Sequence, residues 1–125
     1  MILTSLYQFL SSRSPRLCQS IYREELPQEH PLPALTFELD ADDDVQLLDG
    51  TQGSLHEALV TLNCYDPSAL VADALAASVK NVLVGYTGAF GSYTAQCIYK
   101  ENETSAPETV SGLRGVSLQF FIAYF

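Results

Sequence analysis

The stretch 59-LVTLNCYDPSALVADALAASV-79 changes from strand periodicity to helix periodicity at a single point. Apolar side chains occupy alternate positions up to Cys64, as in a strand with one buried face. Asp66 and Pro67 are typical of a helix start, and the apolar residues that follow recur at helical spacing until Gly85. The stretch therefore predicts a strand followed directly by the most clearly marked helix of the chain.

Cys64 lies at the junction of this strand and helix, where the helix N-terminus lowers the pKa of a nearby thiol and favours a reactive thiolate. A cysteine nucleophile also needs a base within reach. The two histidines are His30, in a proline-rich segment, and His56, about 26 Å away along the same strand. We therefore predict that Cys64 is part of the core, and we make the same prediction for Cys18 and Cys97.

Composition and charge exclude several classes of protein. The chain has 125 residues, 47% of them hydrophobic, which suits one compact domain over residues 1–125. Its 15 acidic and 6 basic residues give a formal net charge of -9, which repels DNA phosphates and anionic membranes. The N-terminus lacks a basic region and a cleavage site, so we expect no secretory signal. Three cysteines at spacings that match no zinc pattern predict free thiols in a reducing compartment.

Periodicity in the rest of the chain predicts the order helix, three strands, helix, two strands. The first helix spans Ile2–Leu10. The first strand is centred on Ile21 and Tyr22, and the other strands span Leu35–Leu39, Leu55–Tyr65, Tyr93–Glu103 and Leu113–Phe125. The segment GYTGAFGS, which begins at Gly85, is predicted to be a turn. This order is typical of an α+β domain, a mostly antiparallel sheet with two helices packed on one face.

An acidic run, DADDD, occupies Asp40–Asp44 at the start of a segment that we predict to be a long loop with a short extended piece at Val45–Leu48. Its alternate aspartates have the first spacings of an EF-hand, but Val45 stands where that motif needs glycine and Thr51 where it needs glutamate. Three interpretations remain open: an adventitious cation site, an acidic contact surface, or a solvated loop. The candidate residues for a contact surface are Asp40, Asp42, Asp43, Asp44 and Asp49, and in a ring-shaped assembly the same residues would be candidates for its lumen.

Nothing in the sequence predicts an enzyme or a cofactor. The glycines at positions 85, 88 and 91 follow a helix instead of opening one, so they lack the context of a phosphate-binding loop. No Ser-His-Asp set or paired carboxylates can be identified along the chain.

Several segments together resemble the tail-completion, or head-to-tail joining, proteins of long-tailed bacteriophages. They are LTSLYQFL, IYREELP, PLPALTFEL, LVTLNCYDPSALVADALAASVKNVLVG and SGLRGVSLQFFIAYF, which cover nearly the whole chain. The most specific is the strand that ends in Cys-Tyr before an Ala-rich helix, and the next is the aromatic-rich terminal strand. DGTQGS matches a glycine-containing loop of the family, whereas the acidic run is particular to this sequence.

The resemblance implies a structural protein without catalytic residues, similar to tail terminators. Such proteins form a ring, commonly a hexamer, that caps the tail tube, meets the head connector or stopper protein and lets DNA pass. The resemblance also implies that the protein lies in the neck of a virion that is assembled in the host cytoplasm. Phe121 and Phe125, on the second face of the last strand, are candidate subunit contacts, unless they pack under the N-terminal helix. The competing interpretation is a small ligand-binding or regulatory α+β domain.

Overall fold

A computed structural model describes residues 2–12, 20–23, 34–46, 52–105 and 114–125. Within these residues, two helices and six strands follow one another along the chain. They are α1 (Ile2–Ser11), β1 (Ser20–Arg23), β2 (Ala34–Gln46), β3 (Gln52–Asp66), α2 (Ala69–Leu83), β4 (Gly88–Phe90), β5 (Tyr93–Ser105) and β6 (Arg114–Tyr124). Cys18 and Asp49, which the sequence singled out, lie outside the described residues. None of the described helices is both long and apolar enough to cross a membrane.

The described strands form one sheet in the order β1-β2-β3-β6-β5-β4. β1 pairs with β2 in parallel, and the other pairings in this part of the chain are antiparallel. The α+β prediction is confirmed, but the sheet is mixed and not mostly antiparallel as expected. Side-chain alternation indicates which face of a strand is buried, but it does not depend on whether the neighbouring strand is parallel or antiparallel. The parallel pair could therefore not be predicted from the pattern.

Both helices and one face of the sheet enclose a single hydrophobic core. α1 contributes the apolar side predicted from its spacing, namely Ile2, Leu3, Leu6, Phe9 and Leu10. α2 contributes Ala72, Leu75, Ala76, Val79 and Leu83. The facing side chains of the sheet include Leu62, Leu118 and Phe120. The face of the sheet that carries these residues is the inner face, and the opposite one is called the outer face below.

The start of α2 differs in detail from the prediction. Ser68 occupies the N-cap position, and its carbonyl accepts the first helical hydrogen bond, from the Ala72 N–H at 3.1 Å. Asp66, the predicted cap, lies two residues earlier and accepts a hydrogen bond from the Ser68 N–H at 2.9 Å. Asp66 therefore orders the turn that leads into the helix instead of capping the helix itself.

Cys64 is part of the core, as predicted. It is fully buried on β3, between Leu35 of β2 and Val116 of β6 in the register of the sheet. The same prediction is wrong for Cys97, which is exposed. A bulge in β5 between Ala95 and Cys97 inserts an extra residue, so Cys97 moves to the outer face while Ala95 stays buried.

The prediction of a long loop after Asp40 is also wrong. β2 continues through the acidic run, with Asp44 opposite His56, and the β2–β3 pairing extends to Gln46 opposite Gln52. The turn segment after α2 likewise contains a short strand, β4. The extension of β2 and the short strand β4 were not predicted, because both segments have a composition typical of turns. In the structure, pairing with a neighbouring strand outweighs the low strand propensity of aspartate and glycine.

Candidate functional site

The outer face of the sheet carries a shallow cleft of about 260 Å³ where β2, β3, β6 and β5 lie side by side. Its lining includes the large apolar side chains of Leu59, Tyr99 and Phe121, which we call the floor, and the carboxylates of Asp43, Glu57 and Glu101, which we call the rim. We call this feature the outer cleft. The strand order brings these residues together, because β6 lies between β3 and β5 although it is the last strand of the chain.

The floor of the outer cleft is an aromatic pair set beside an aliphatic side chain. Phe121 of β6 lies opposite Leu59 of β3 on one side and opposite Tyr99 of β5 on the other. The rings of Tyr99 and Phe121 stack with their centroids 4.8 Å apart and an angle of 26° between their planes. Tyr99 is nevertheless 44% exposed. The floor therefore presents aromatic surface to solvent.

The rim of the outer cleft is anionic. Asp43 and Glu57 face each other directly across β2 and β3, a position where like charges destabilise a sheet. Partial loss of hydration, followed by the hydrogen bond and charge of Glu101, raises the pKa of the Tyr99 phenol above its usual value of 10.0. None of the described residues that line the cleft is a lysine or an arginine. These residues therefore do not neutralise its negative charge.

The acidic run supplies only part of this rim, since its members divide between the two faces of β2. A bulge between Leu39 and Ala41 lets Asp40 and Asp43 share the outer face, whereas Asp42 lies opposite Ala58, a core residue. Asp40, Asp42, Asp43 and Asp44 therefore belong to a strand and not to a loop. The side chain of Asp44 is not among those the structure describes, although its backbone belongs to β2.

Two of these aspartates have structural partners. Asp40 accepts hydrogen bonds from the Thr61 hydroxyl and from Nε2 of Gln119, at 2.9 Å for the latter, and so links β2, β3 and β6. Asp42 accepts a hydrogen bond from the hydroxyl of Tyr124. Asp43 is thus the exposed member of the run whose carboxylate lines the outer cleft.

The candidate contact aromatics occupy different surroundings. Phe121 is half-buried in the floor of the outer cleft, on the side of the sheet away from the helices. Phe125 is 53% exposed, and its backbone exchanges two hydrogen bonds with Thr94, at 2.8 and 3.0 Å. Packing under the N-terminal helix, the alternative considered from the sequence, is therefore not observed for either residue.

Sequence reasoning missed Glu57, Tyr99 and Glu101. Each lies in an ordinary strand pattern, and no local signal separates it from other surface residues. The three meet only because β3 and β5 flank β6. Among the described residues, no group of three or more His, Cys, Asp or Glu side chains is placed to hold a metal ion.

Comparison with known proteins gives a likeness of fold. No protein-family model and no curated protein matches the chain. A solved chain in the virion of a native gene transfer agent (GTA) particle superposes with a TM-score of 0.64 at 19% sequence identity. The alignment covers 97% of this chain and 92% of that chain. At this identity the likeness shows a shared fold, over nearly the full length of both chains.

Proposed function

We propose that the protein is a structural component of a phage-like virion, namely a tail-completion protein that caps the tail tube and joins it to the head. The observation that carries this proposal is the likeness of fold to a chain of a GTA virion, which extends over almost all of both chains. The resemblance of the Cys64-Tyr65 strand, the Ala-rich helix and the aromatic terminal strand to tail-completion proteins supports it independently.

In this proposal, copies of the 125-residue domain assemble as a ring, most simply a hexamer, in the neck of the virion after synthesis in the host cytoplasm. The tail tube protein contacts one side of the ring and the head connector or stopper protein the other. DNA passes through the lumen without specific binding. The protein acts without a catalytic residue or cofactor. The exposed Phe125 and the half-buried Phe121 are the proposed contacts between subunits or with a neighbouring virion protein.

The exposed carboxylates have two possible positions in such a ring. In the lumen they would repel the DNA backbone and keep the duplex from adhering. On an end face they would steer a basic partner towards the ring. Asp43 and Glu57 suit either position because both are exposed, whereas Asp42 is held by Tyr124.

The proposal is tested by adding the purified protein to tails that lack it. We expect electron microscopy to show a ring at the upper end of the tail tube, followed by joining to heads. A monomer that leaves tails bare and carries a small molecule would instead support the ligand-binding interpretation. Native mass measurement of the free protein separates the two oligomeric states.

A double variant, Asp43→Asn with Glu57→Gln, then distinguishes the two positions of the carboxylates. If they steer a partner, joining slows at low ionic strength and the difference from the wild type shrinks as salt screens charge over about 8–10 Å. If they line the lumen, joining is normal and DNA ejection is slower. Asp73→Asn, on the exposed side of α2, is the control for a change of charge elsewhere.

A further inference from the structure

We propose that the outer cleft binds an arginine-bearing segment of a partner protein, with the guanidinium stacked on the aromatic floor and hydrogen-bonded to the acidic rim. The biological setting of this inference rests on the proposed function, since Asp43 and Phe121 belong to both. The inference adds the chemistry of the partner, which the proposed function leaves open.

The floor suits a planar cation. Tyr99 and Phe121 stack at 4.8 Å with nearly parallel rings, and Tyr99 keeps 44% of its surface exposed. A guanidinium attracts the negative face of an aromatic ring and stacks flat against it, while its alkyl stem covers apolar surface such as Leu59. An ammonium has no plane to stack, so the floor favours arginine over lysine.

The rim supplies acceptors for the same group. Carboxylates of Asp43, Glu57 and Glu101 surround the floor, and none of them has a salt bridge with a described lysine. The described lysines, Lys80 and Lys100, both pair with Glu103, which does not line the cleft. The five N–H donors of a guanidinium match carboxylate oxygens in forked pairs. A partner arginine would therefore neutralise charge that the described lining residues leave uncompensated.

Other occupants fit less well. DNA phosphates meet three carboxylates and are repelled. A second copy is a poorer partner, because in a two-fold pair it would set the rim against an identical rim, and in a ring it brings a chain whose formal net charge is also -9. A neutral apolar ligand would cover the floor but leave the carboxylates unpaired and partly desolvated. Charge complementarity thus selects a cationic partner segment.

The test is an NMR titration of the isolated full-length protein with the blocked peptide acetyl-Leu-Arg-Leu-Arg-Leu-amide. We expect amide shifts concentrated in 57–59, 99–101 and 119–121. The same peptide with glutamine at the arginine positions should cause none, and the peptide with lysine should bind more weakly. Shifts spread evenly over the acidic surface, or equal binding of the glutamine peptide, would overturn the inference.

Matched variants test the two parts of the cleft. Tyr99→Leu keeps apolar volume but removes the ring, and should weaken binding about two- to fivefold, the size of an exposed cation–π contact. Tyr99→Phe keeps the ring and should bind like the wild type. Glu101→Gln should weaken binding at low salt, whereas Asp73→Asn on α2 should not. Unchanged binding by Tyr99→Leu and Glu101→Gln would refute the assignment to this cleft.

The titration and the tail-joining assay can fail separately. If the arginine peptide binds the outer cleft but the protein does not complete tails, the proposed function fails and this inference stands. If the protein completes tails but the peptide leaves the cleft unperturbed, the inference fails and the proposed function stands.

Discussion

Tyr124 donates its phenolic hydrogen to the carboxylate of Asp42, with its oxygen 2.8 Å from both carboxylate oxygens. The contact joins the last strand to the acidic run across β3, between residues 82 positions apart in the chain. The ring of Tyr124 also stacks on His56 and meets Tyr93 edge-on, with centroid distances of 5.1 and 4.9 Å. One aspartate of the acidic run is therefore part of the packing that anchors the C-terminal strand.

We predict that Tyr124→Phe lowers the free energy of unfolding by about 1–2 kcal/mol, because it removes a hydrogen bond to a charged acceptor while keeping the ring. Urea unfolding measures the change. Asp42→Ala should have a similar effect, and the double variant should be little worse than either single one, because both remove the same contact. Fully additive losses would show that the two side chains act independently.

The two described cysteines should differ in reactivity and in their contribution to stability. In a Cys18→Ser background, a thiol reagent should modify the exposed Cys97 rapidly and leave the buried Cys64 unmodified until the protein unfolds. Cys64→Ala should lower the free energy of unfolding by about 1–2 kcal/mol through lost packing, yet leave tail completion intact once the protein is folded. Cys97→Ala should change neither the free energy of unfolding nor tail completion. Fast modification of folded Cys64 would contradict its assignment to the core.

Gly91, in the turn between β4 and β5, has a φ of +61°, and a Cβ placed there would lie 2.5 Å from Oγ of Ser5 in α1. Gly91→Ala therefore combines a left-handed backbone, at about 1–2 kcal/mol, with a clash that pushes α1 from the sheet. Gly85→Ala is the matched control, since its φ is +80° but nothing lies within 4 Å of the added carbon. Thermal unfolding should show the larger loss for Gly91→Ala. Equal losses would mean that α1 adjusts without penalty.

Glu103 should make stability depend on pH. Hydrogen bonds from Lys100 and then Lys80, at 2.9 and 3.0 Å, hold the pKa of the Glu103 carboxyl below its usual 4.5. The resulting stabilisation is present above the unfolded pKa and is lost as the pH falls through the lower, folded pKa. For exposed pairs of this kind it amounts to about 0.2–1 kcal/mol.

Unfolding of Glu103→Gln at a series of pH values measures this contribution. The variant should be less stable than the wild type near neutral pH, and the difference should vanish in acid. It should also shrink in about 1 M salt, which screens exposed charges. A difference that persists unchanged in acid would show that packing of the side chain, and not its charge, is responsible.

Local pattern identified the main buried faces of the described helices and of strands β3 and β6. Alternation in β3 and β6 predicted that Cys64 and Leu118 are buried, and helical spacing predicted the buried faces of α1 and α2. Both patterns can be recognised from residues that are close together in the chain. The acidic run and Phe121 were also visible as unusual surface features. The positions of the acidic residues relative to Phe121 could not be predicted, because the sequence does not show which strands lie beside one another.

Tertiary structure decided what depends on distant pairing. The parallel partner of β2 and the position of β6 between β3 and β5 follow from hydrogen bonds between segments far apart in the chain. The bulges at Asp40 and Gln96 shift side chains between faces, which no count of alternate positions reveals. The outer cleft exists for the same reason: Asp43, Glu57 and Glu101 become neighbours only when the sheet aligns their strands, because sheet pairing acts across space and side-chain alternation only along the chain.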